Sequence, residues 1–413
     1  MNLRMRLEKN SGVLGMNFSG WKEFKLSDIC QIKYGKDHKN LNEGKIPTYG
    51  SGGVMRYVDS FIYDKPSVLI PRKGSLSNLY FVNEKFWTVD TLFWTIIDET
   101  IASPKFLYFQ LLTKNLSDMN VGSAVPSLTT AVLNELRLQL PSLETQYAIS
   151  GILSSLNDKI ELNNKINKTL EEMAQAIFKS WFVDFDPFKD GEFTNSKVGK
   201  LPTGWQLSRI GDLSIIVTDF VANGSFASLK ENVQLYENDN YAYFIRNVDL
   251  KANNFRKFVD KKSYEFLSKS SLEGGEVIIS NVGDVGSVYL CPKLDKPMTL
   301  GNNIIVIKSK NKAINFNLFL YFLFKYNYGA DLLVNITSGS AQPKFNKTDF
   351  KNLQIIIPDF KTLNNFNELV SDLINQQENL RKEISLLTKI RDSLLPKLMS
   401  GEIRVKLEEV SNA

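Results

Sequence analysis

Two stretches of this chain carry apolar residues at alternating steps of three and four positions, which is the spacing of a helical heptad seam. The first stretch runs from Leu143 to about Trp181, and its seam holds Leu153, Leu156, Ile160, Leu170, Ala174 and Ile177, interrupted by Asn163 and Asn167. The second lies within residues 362–400, and its seam holds Val370, Leu373, Leu380, Ile384, Leu387, Leu394 and Leu398, interrupted by Gln377 and Arg391. The pattern predicts two long helices.

Neither helix could bury such a seam alone, so we predict that the two helices pair as an antiparallel coiled coil. Asparagine at a seam position would fix the register of that pair at some cost in stability. The alternative is that each seam packs onto its own globular block. About 39 residues at 1.5 Å each make a rod of roughly 55–60 Å, however, which is longer than the flank of one small domain. An antiparallel pair would carry one block at each end and would act as a ruler.

The sequence is also duplicated. Residues 122–181 and 339–398 lie 217 positions apart without a gap, and both open on Gly-Ser-Ala-x-Pro, at Gly122 and Gly339. A weaker match upstream joins Gly20-Trp21 to Gly204-Trp205. We therefore predict an α+β fold of two similar domains, built from mixed strands and short helices, separated by the two long helices and related by approximate twofold symmetry. Two similar surfaces suit a bipartite ligand.

The expected organisation follows from this duplication. It comprises an N-terminal extension (1–16), a first block (17–142), a first long helix (143–190), a second block (191–361), a second long helix (362–400) and a C-terminal tail (401–413). The extension has no counterpart before the second copy. Charged residues such as Arg4 and Arg6 break the apolar core that a signal peptide would need.

Within the blocks, short strands alternate with polar turns. Residues 68–70 lead through Arg72-Lys73-Gly74-Ser75-Leu76-Ser77-Asn78 to a second apolar run, and residues 277–279 lead through 281–287 to residues 288–290. Both are predicted to be strand–loop–strand ribbons, and one short helix per block is predicted near 106–109 and 319–322. Ribbon tips of this composition carry donors and acceptors for base edges and phosphates in a major groove. A solvated loop without a partner is the alternative for each ribbon.

Other residues extend the candidate set. Residues 47–53 are too rich in glycine for a strand, and Arg246-Asn247 ends a strand with the residue types that pair bidentately with guanine and adenine. An ion pair with an acidic residue such as Asp249 is the alternative for Arg246. The candidate DNA-binding residues are Tyr49, Ser51, Arg56, Arg72, Lys73, Ser75, Ser77, Asn78, Arg246, Asn247, Asn281, Asp284, Ser287, Gln342 and Lys344.

The first helix ends in an aromatic run, residues 181–188, which is too apolar to lie in water. Either this run packs on the neighbouring block or it meets another subunit. Trp181, Phe182 and Phe185 are the candidate partner-docking residues. The second helix is expected to end at Gly401, shortly after Pro396.

Composition changes this picture little. A length of 413 residues fits two or more domains, and 43% hydrophobic with 23% charged residues is ordinary for a soluble protein. No apolar run approaches the roughly 20 residues that span a bilayer, and two cysteines exclude a disulfide framework, so we expect a cytoplasmic protein without a membrane partner. A net charge of +5 permits nucleic-acid binding without arguing for it.

Catalytic motifs are missing. The only histidine is His38, and the sequence contains neither a CxxC pair nor a GxxxxGK[ST] phosphate loop. A zinc site of the usual type and a histidine-dependent triad are both excluded. We predict a binding protein with no catalytic, cofactor or metal site. A coiled-coil scaffold that joins two protein-binding modules, without a role on DNA, is the competing hypothesis.

Three motifs, together with the duplicated openings, resemble the specificity subunit of type I restriction–modification systems. They are Leu143-Glu144-Thr145-Gln146, the run 178–187 (FKSWFVDFDP) and the run 394–403 (LLPKLMSGEI). The resemblance covers the chain from Gly20 to Val405. It departs from the family pattern at Leu363-Asn364-Asn365, which replaces the Leu-Glu-x-Gln type of helix start seen in the first copy. Any contact made there is thus in doubt for the second half.

The resemblance implies a non-catalytic subunit that serves defence against foreign DNA. Two target-recognition domains would each read half of a bipartite site in double-stranded DNA, while the helix pair sets the gap and docks two modification subunits. Those partners would use S-adenosylmethionine to methylate adenine N6, and restriction subunits would add cleavage driven by ATP and Mg²⁺. The chain itself would hold no cofactor.

Overall fold

The computed structural model describes residues 3–9, 20–122, 125–310 and 314–409. Ser123 and Ala124 of the first Gly-Ser-Ala segment, and most of the expected N-terminal extension, lie outside these ranges. The chain forms two compact units. Unit 1 is Met1–Asn164 with Arg381–Ala413, and unit 2 is Lys165–Leu380, so each unit holds one block and half of each long helix.

The first copy begins with ten strands in the described ranges. They are β1 Leu3–Lys9, β2 Lys22–Lys25, β3 Cys30–Tyr34, β4 Glu43–Gly50, β5 Gly53–Val58, β6 Ser67–Pro71, β7 Tyr80–Val82, β8 Trp87–Thr88, β9 Leu92–Ile97 and β10 Arg137–Leu140. Its helices are α1 Leu26–Ile29, α2 Pro104–Leu112, α3 Thr130–Asn134 and the long α4 Leu143–Phe182. A 3-10 turn covers Leu116–Met119.

The second copy follows the same plan. Its strands are β11 Phe193–Ser196, β12 Gly199–Pro202, β13 Gln206–Arg209, β14 Ile215–Asp219, β15 Leu235–Tyr236, β16 Ala242–Ile245, β17 Phe258–Val259, β18 Ser271–Leu272, β19 Val277–Ser280, β20 Val288–Leu290, β21 Met298–Leu300, β22 Ile304–Ser309, β23 Gln354–Ile357 and the C-terminal β24 Ile403–Glu409. Its helices are α5 Phe226–Asn232, α6 Asn247–Ala252, α7 Lys261–Phe266, α8 Asn317–Tyr326, α9 Tyr328–Asn335, α10 Lys347–Asn352 and the long α11 Phe360–Met399. Among the 3-10 turns is Asp186–Phe188.

Each block is built on a four-stranded antiparallel sheet of the same strand order. The order is β3-β9-β6-β7 in unit 1 and β14-β22-β19-β20 in unit 2. The predicted ribbons are confirmed, because β6 pairs with β7 and β19 pairs with β20, both antiparallel. The central strands are largely apolar because both of their faces are buried: Val68 and Ile70 enter one core, whereas Leu69 enters another. The short helices predicted near 106–109 and 319–322 are α2 and α8.

A second sheet completes each block. Its order is β5-β4-β8 in unit 1 and β15-β17-β16-β21-β18 in unit 2, and each contains one parallel pair. The prediction that residues 47–53 form no strand was wrong. Strand β4 runs to Gly50 and β5 begins at Gly53, because glycine supplies what a tight hairpin needs there. A Cβ on Gly50 would lie 2.4 Å from the sulfur of Met55, and Gly53 adopts a φ of +109°.

The long helices confirm the duplication, since α4 and α11 begin and end 217 positions apart. Each begins after a residue whose side chain accepts from the first-turn backbone: Ser142 from Thr145 N, and Asp359 from Thr362 N. Pro396 lies within the last turn of α11, and Gly401 follows with a φ of +73°. The C-terminal β24 pairs antiparallel with β1 in unit 1.

The two helices pair antiparallel within each unit, as predicted. In unit 1, Asn163 lies against Glu383, and in unit 2, Asn167 lies against Gln377. The alternative of packing on the block also holds, but only toward the helix ends. There Leu153 joins the core of unit 1, and Val370 joins the core of unit 2. None of the described helices is both long enough and apolar enough to cross a membrane.

Candidate nucleic-acid interface

In unit 1, the tip of the β4–β5 hairpin lies against ribbon loop 1, which we define as residues 72–79 between β6 and β7. The Ser51 carbonyl accepts hydrogen bonds from Asn78 Nδ2 at 3.0 Å and from the Tyr80 hydroxyl at 3.1 Å. The Ser51 backbone N–H donates to the Thr91 hydroxyl at 3.4 Å. The ring centroid of Tyr49 lies 5.9 Å from that of Tyr80. The structure therefore brings Tyr49, Ser51 and Asn78 together, and the Asn78 amide serves to hold the hairpin tip.

Arg72 stands at the start of ribbon loop 1 in a fixed orientation. Its Nη1 donates to the Asp90 carbonyl at 2.8 Å and lies 3.6 Å from the Asp90 carboxylate. Its guanidinium carbon lies 5.4 Å from the ring centroid of Tyr34, which is 53% exposed. Sequence reasoning missed Tyr34, although an aromatic residue at an outward position of β3 was a usable signal. The pair presents an aromatic face and a cation beside the loop.

The tip of ribbon loop 1 carries the freely accessible polar groups. Lys73, Ser75 and Ser77 are exposed. Arg56 lies on β5, opposite Thr48 of β4, and its Nη2 donates to the Leu41 carbonyl at 3.1 Å. It therefore belongs to the hairpin rather than to the loop tip.

Each ribbon loop is held at its base by the Gly-Ser-Ala-x-Pro segment of its own copy. The Gly74 N–H donates to the Pro126 carbonyl at 3.0 Å in unit 1, and the Gly283 N–H donates to the Pro343 carbonyl at 2.9 Å in unit 2. Backbone bridges beside these bonds join Lys73 to Ser127 and Val282 to Lys344. Because the loop glycines have φ values of +88° and +80°, they make turns that other residues rarely adopt. The two copies thus build the same loop platform.

In unit 2, Arg246 forms the ion pair that the sequence left open as an alternative. Its Nε and Nη2 donate to the two carboxylate oxygens of Asp249 at 2.8 and 2.7 Å. The Asp249 side chain is 5% exposed, and the hydrogen bond to it raises the pKa of Arg246. Such a bidentate pair occupies the fork that would otherwise face a guanine.

Ribbon loop 2, residues 281–287, collects several candidates around one carboxylate. Asp284 Oδ2 accepts from Asn247 Nδ2 at 3.3 Å, from the Ser287 hydroxyl at 3.0 Å and from Lys251 Nζ at 3.3 Å. The hydrogen bonds from Asn247 and Ser287 hold the pKa of Asp284 below its ordinary value. The structure therefore joins the N-terminus of α6 to the tip of ribbon loop 2, as an exposed polar cluster.

The remaining candidates of unit 2 lie near the base of this loop. Asn281 is structural in its contacts: its Nδ2 donates to the Phe345 carbonyl at 3.2 Å, and its carbonyl accepts from the Phe345 N–H at 3.1 Å. Gln342 and Lys344, in contrast, are exposed. These two side chains have the accessibility that a DNA contact requires.

The predicted seam residues lie on the buried or half-buried faces of the two long helices. The polar members Asn163 and Gln377 are as buried as the apolar ones, at 0% and 2% exposure. Eleven other predicted seam positions are buried or half-buried, namely Leu153, Leu156, Ile160, Asn167, Leu170, Ile177, Leu373, Leu380, Ile384, Leu387 and, at the end of α11, Leu394.

The aromatic run at the end of α4 packs within unit 2. Phe182 is 3% exposed and its ring centroid lies 4.9 Å from that of Phe366. Phe185, in a left-handed conformation, and Phe182 both pack against Trp205, with centroids 5.4 and 5.6 Å away. Trp181 is half-buried, 6.3 Å from Phe366. Of the two possibilities kept for this run, packing on the block is the one the structure displays, and docking of a partner there stays a prediction.

Gln146, the last residue of the motif at the start of α4, has a definite role in unit 1. Its Oε1 accepts from the Ser103 N–H at 2.9 Å, and its Nε2 donates to the carbonyls of Pro141 at 2.9 Å and Ile101 at 3.1 Å. The side chain is 1% exposed, so the first turn of α4 is tied to the segment before α2. The second copy has Leu363 at this position, and it makes no such bonds.

Comparison with known proteins agrees with this architecture. A family model described as the type I restriction modification DNA specificity domain matches residues 18–172 and 202–388, one match per copy. The MjaIX specificity subunit of Methanocaldococcus jannaschii is 30% identical over 356 residues, covering 84% of this chain and 79% of that protein. The HindI specificity subunit of Haemophilus influenzae is 27% identical over 393 residues, covering 78% and 81%.

A solved structure supports the fold. The S subunit of a type I restriction–modification system from M. genitalium superimposes with a TM-score of 0.66, at 18% identity, over 93% of this chain and 98% of that one. The two family matches, one for each recognition block with most of its helix, account for most of the sequence. The chain therefore belongs to the family of type I restriction–modification specificity subunits.

Proposed function

We propose that this chain is the non-catalytic recognition subunit of a type I complex, in which each block reads one half of a bipartite site in double-stranded DNA. Reading from one face of the duplex would place the half-site centres about one turn, on the order of 10 bp, apart. The helix pair would set that distance and dock modification subunits. S-adenosylmethionine, ATP and Mg²⁺ would belong to those subunits and to the restriction subunits.

The observation that carries the proposal is the repeated loop platform. Both units hold a ribbon loop by the same hydrogen bond from a loop glycine to the proline carbonyl of the Gly-Ser-Ala-x-Pro segment, as described for Gly74 and Gly283. The loops differ in side chains, with Lys73 and Ser75 in one and Asp284 and Ser287 in the other. A common platform with different tips is what reading two unlike half-sites requires.

Within each platform the polar groups divide into two sets. Arg72 and Arg246 are held by acidic partners, which favours a role in shaping the surface. Lys73, Gln342 and Lys344 are exposed and reach outward, which favours contact with phosphates or base edges. We propose that the exposed set supplies most of the direct DNA contacts.

Docking of partners is supported by exposed apolar side chains on the long helices. Met173 in unit 2 and Ile390 in unit 1 stand 217 positions apart, at equivalent points of the repeat, and are 48% and 38% exposed. Two equivalent apolar positions suit two copies of one partner. We expect Met173→Asp and Ile390→Asp each to release one modification subunit, as measured by the mass of the purified complex. Retention of both subunits by both variants would contradict this placement.

The decisive experiment for the function is methylation-sensitive sequencing of the host genome, with and without a functional copy of this chain. We expect one split, adenine-methylated motif that disappears when the chain is lost. A genome with no such motif, from cells that make the complete complex, would overturn the proposal.

Salt dependence distinguishes this function from a protein scaffold. Phosphate contacts release counterions, so the logarithm of the affinity for DNA should fall steeply with the logarithm of the salt concentration. A coiled-coil scaffold without a DNA role would show no sequence-dependent DNA binding at any salt concentration. The measurement should use the chain in complex with its modification subunits.

A further inference from the structure

A buried carboxylate lies where the second block meets the helix pair, inside unit 2. Glu171 of α4 has a side chain that is 16% exposed. Its Oε1 accepts hydrogen bonds from the hydroxyls of Tyr326 at 2.5 Å and Tyr321 at 3.1 Å, and lies 3.5 Å from Lys325 Nζ. Its Oε2 accepts from Gln377 Nε2 at 2.9 Å. We call these five residues the Glu171 cluster, and they join α8 of the block to α4 and α11.

The carboxylate is ionised despite its burial. Burial is the largest single influence on the pKa of Glu171 and raises it, but the hydrogen bond from Tyr326 and the charge of Lys325 lead the influences that hold that pKa below its ordinary value. Hydrogen bonds to an ionised acceptor are roughly twice as strong as those between neutral groups. Losing a partner of a buried charge is correspondingly expensive.

These hydrogen bonds restrict rotation in a way that the surrounding apolar contacts do not. Gln377 also donates to the Asn167 carbonyl at 2.8 Å, which fixes α11 against α4 at the same level. Nearby, the ring of Phe178 packs on the rings of Phe319 and Phe322, with centroids 5.6 and 6.1 Å away. Apolar burial is non-directional, whereas hydrogen bonds weaken steeply away from their preferred angles. The cluster therefore adds directional contacts between the block and the helices to the apolar packing beside it.

The first copy lacks this device. Thr388 stands 217 positions after Glu171, and Ile160 stands 217 positions before Gln377. The counterparts of Lys325 and Tyr326, 213 positions earlier, are Leu112 and Thr113. Unit 1 instead uses the bonds of Gln146, for which unit 2 has Leu363. The two blocks are thus fixed to the helices by different polar groups at different points.

We infer that the Glu171 cluster is a positioning site: it holds the second block at one angle about the helix pair and so limits the spacer lengths that the subunit accepts. This inference rests on the proposed function. One extra base pair moves a half-site by about 3.4 Å and turns it by about 35° around the duplex. A block that can turn more freely should tolerate such a change, without any change in the bases that it reads.

The test uses the complex of this chain with its modification subunits and duplexes that carry the host motif. The spacer is the native one, or is one base pair shorter or longer. We expect Glu171→Gln to reduce the preference for the native spacer by about tenfold, the factor that loss of one charge-assisted hydrogen bond typically makes. Tyr326→Phe keeps the charge and should act in the same direction. Glu172→Gln is the matched control, because that neighbouring carboxylate is 60% exposed and pairs only weakly with Lys168.

The possible results distinguish failure of this inference from failure of the proposed function. A broadened spacer preference in Glu171→Gln and Tyr326→Phe, with unchanged base preference and a normal Glu172→Gln profile, supports the inference. An unchanged spacer profile in a folded Tyr326→Phe complex overturns it, even if the thermal stability falls. A change in the bases read at the second half-site also overturns it. If the wild-type complex itself shows no preferred spacer, both the proposed function and this inference are wrong.

Discussion

Replacing Gln146 by leucine, the residue that the second copy carries at this position, tests how the first block is joined to its helix. Gln146 makes three hydrogen bonds while 1% exposed, and one of them satisfies the backbone N–H of Ser103. In the second copy the equivalent N–H, of Phe316, donates to the Ser309 hydroxyl at 2.9 Å, so this donor is satisfied without a polar side chain at position 363. The first copy has no such substitute.

The expected loss of stability in Gln146→Leu follows from the backbone groups that lose their hydrogen-bond partner. A buried donor without an acceptor costs about 1–3 kcal/mol, and the Pro141 carbonyl loses its donor as well. The added apolar burial of leucine returns roughly 1 kcal/mol. We therefore expect Gln146→Leu to destabilise unit 1 by about 2–3 kcal/mol, which lowers its melting temperature by roughly 4–12 °C for a unit of this size.

Calorimetry combined with hydrogen exchange at the Ser103 amide would measure this effect. The variant should lower the transition assigned to unit 1 and remove protection at Ser103, while the transition of unit 2 stays in place. Glu144→Gln, an exposed change in the same helical turn, is the control and should cost less than about 0.5 kcal/mol. A Gln146→Leu protein with unchanged melting and a protected Ser103 amide would refute the reasoning.

Three further changes probe other parts of the molecule. Asn163→Leu should stabilise unit 1 by about 1 kcal/mol, as measured by urea unfolding. The reason is that the Asn163 amide oxygen is buried without a partner among the described residues, whereas Glu383, which would lose the amide, is exposed enough to be solvated. A loss of stability would contradict this prediction. Lys73→Ala should weaken DNA binding at the first half-site only and lower the slope of log affinity against log salt concentration by about one. Arg246→Ala should affect binding at the second half-site only, and it should also destabilise unit 2 by about 3 kcal/mol. Loss of base preference at the opposite half-site in either variant would disprove the assignment. The pKa of Glu171 is lowered on folding, so the stability that its carboxylate contributes is present above the ordinary pKa of 4.5 and is lost as the pH falls below that value. The melting temperature of unit 2 should therefore fall less at acid pH in Glu171→Gln than in the wild type. An equal fall in both proteins would argue against the cluster.

Much of the fold could be predicted because its signals are local. The heptads placed both long helices, and the apolar run at Val68 marked the first strand of a ribbon. The glycine-rich hairpin at Gly50 was misjudged, since composition alone did not show that glycine makes room for the side chain of Met55. Local pattern thus decided elements but not the special turns.

Most contacts that organise the site could not be predicted, because they join residues far apart in the sequence. Tyr326 donates a hydrogen bond to Glu171, which lies 155 positions away in the sequence. Gly74 donates to the carbonyl of Pro126, which belongs to a separate segment of the chain. Charge type alone left Arg246 open between DNA and Asp249. Only the fold, which places a buried carboxylate beside it, shows the ion pair.

The central proposal is that the paired helices set the distance between the two half-sites. Residues 161–167 and 377–383 are the facing heptads, since Asn163 lies against Glu383 and Asn167 against Gln377. Seven helical residues span about 10 Å and one base pair about 3.4 Å, so deleting both heptads should shorten the preferred spacer by up to about three base pairs. Methylome sequencing of cells that carry the deletion should show the same two half-sites with a shorter gap. The same half-sites at the original spacing would contradict the account.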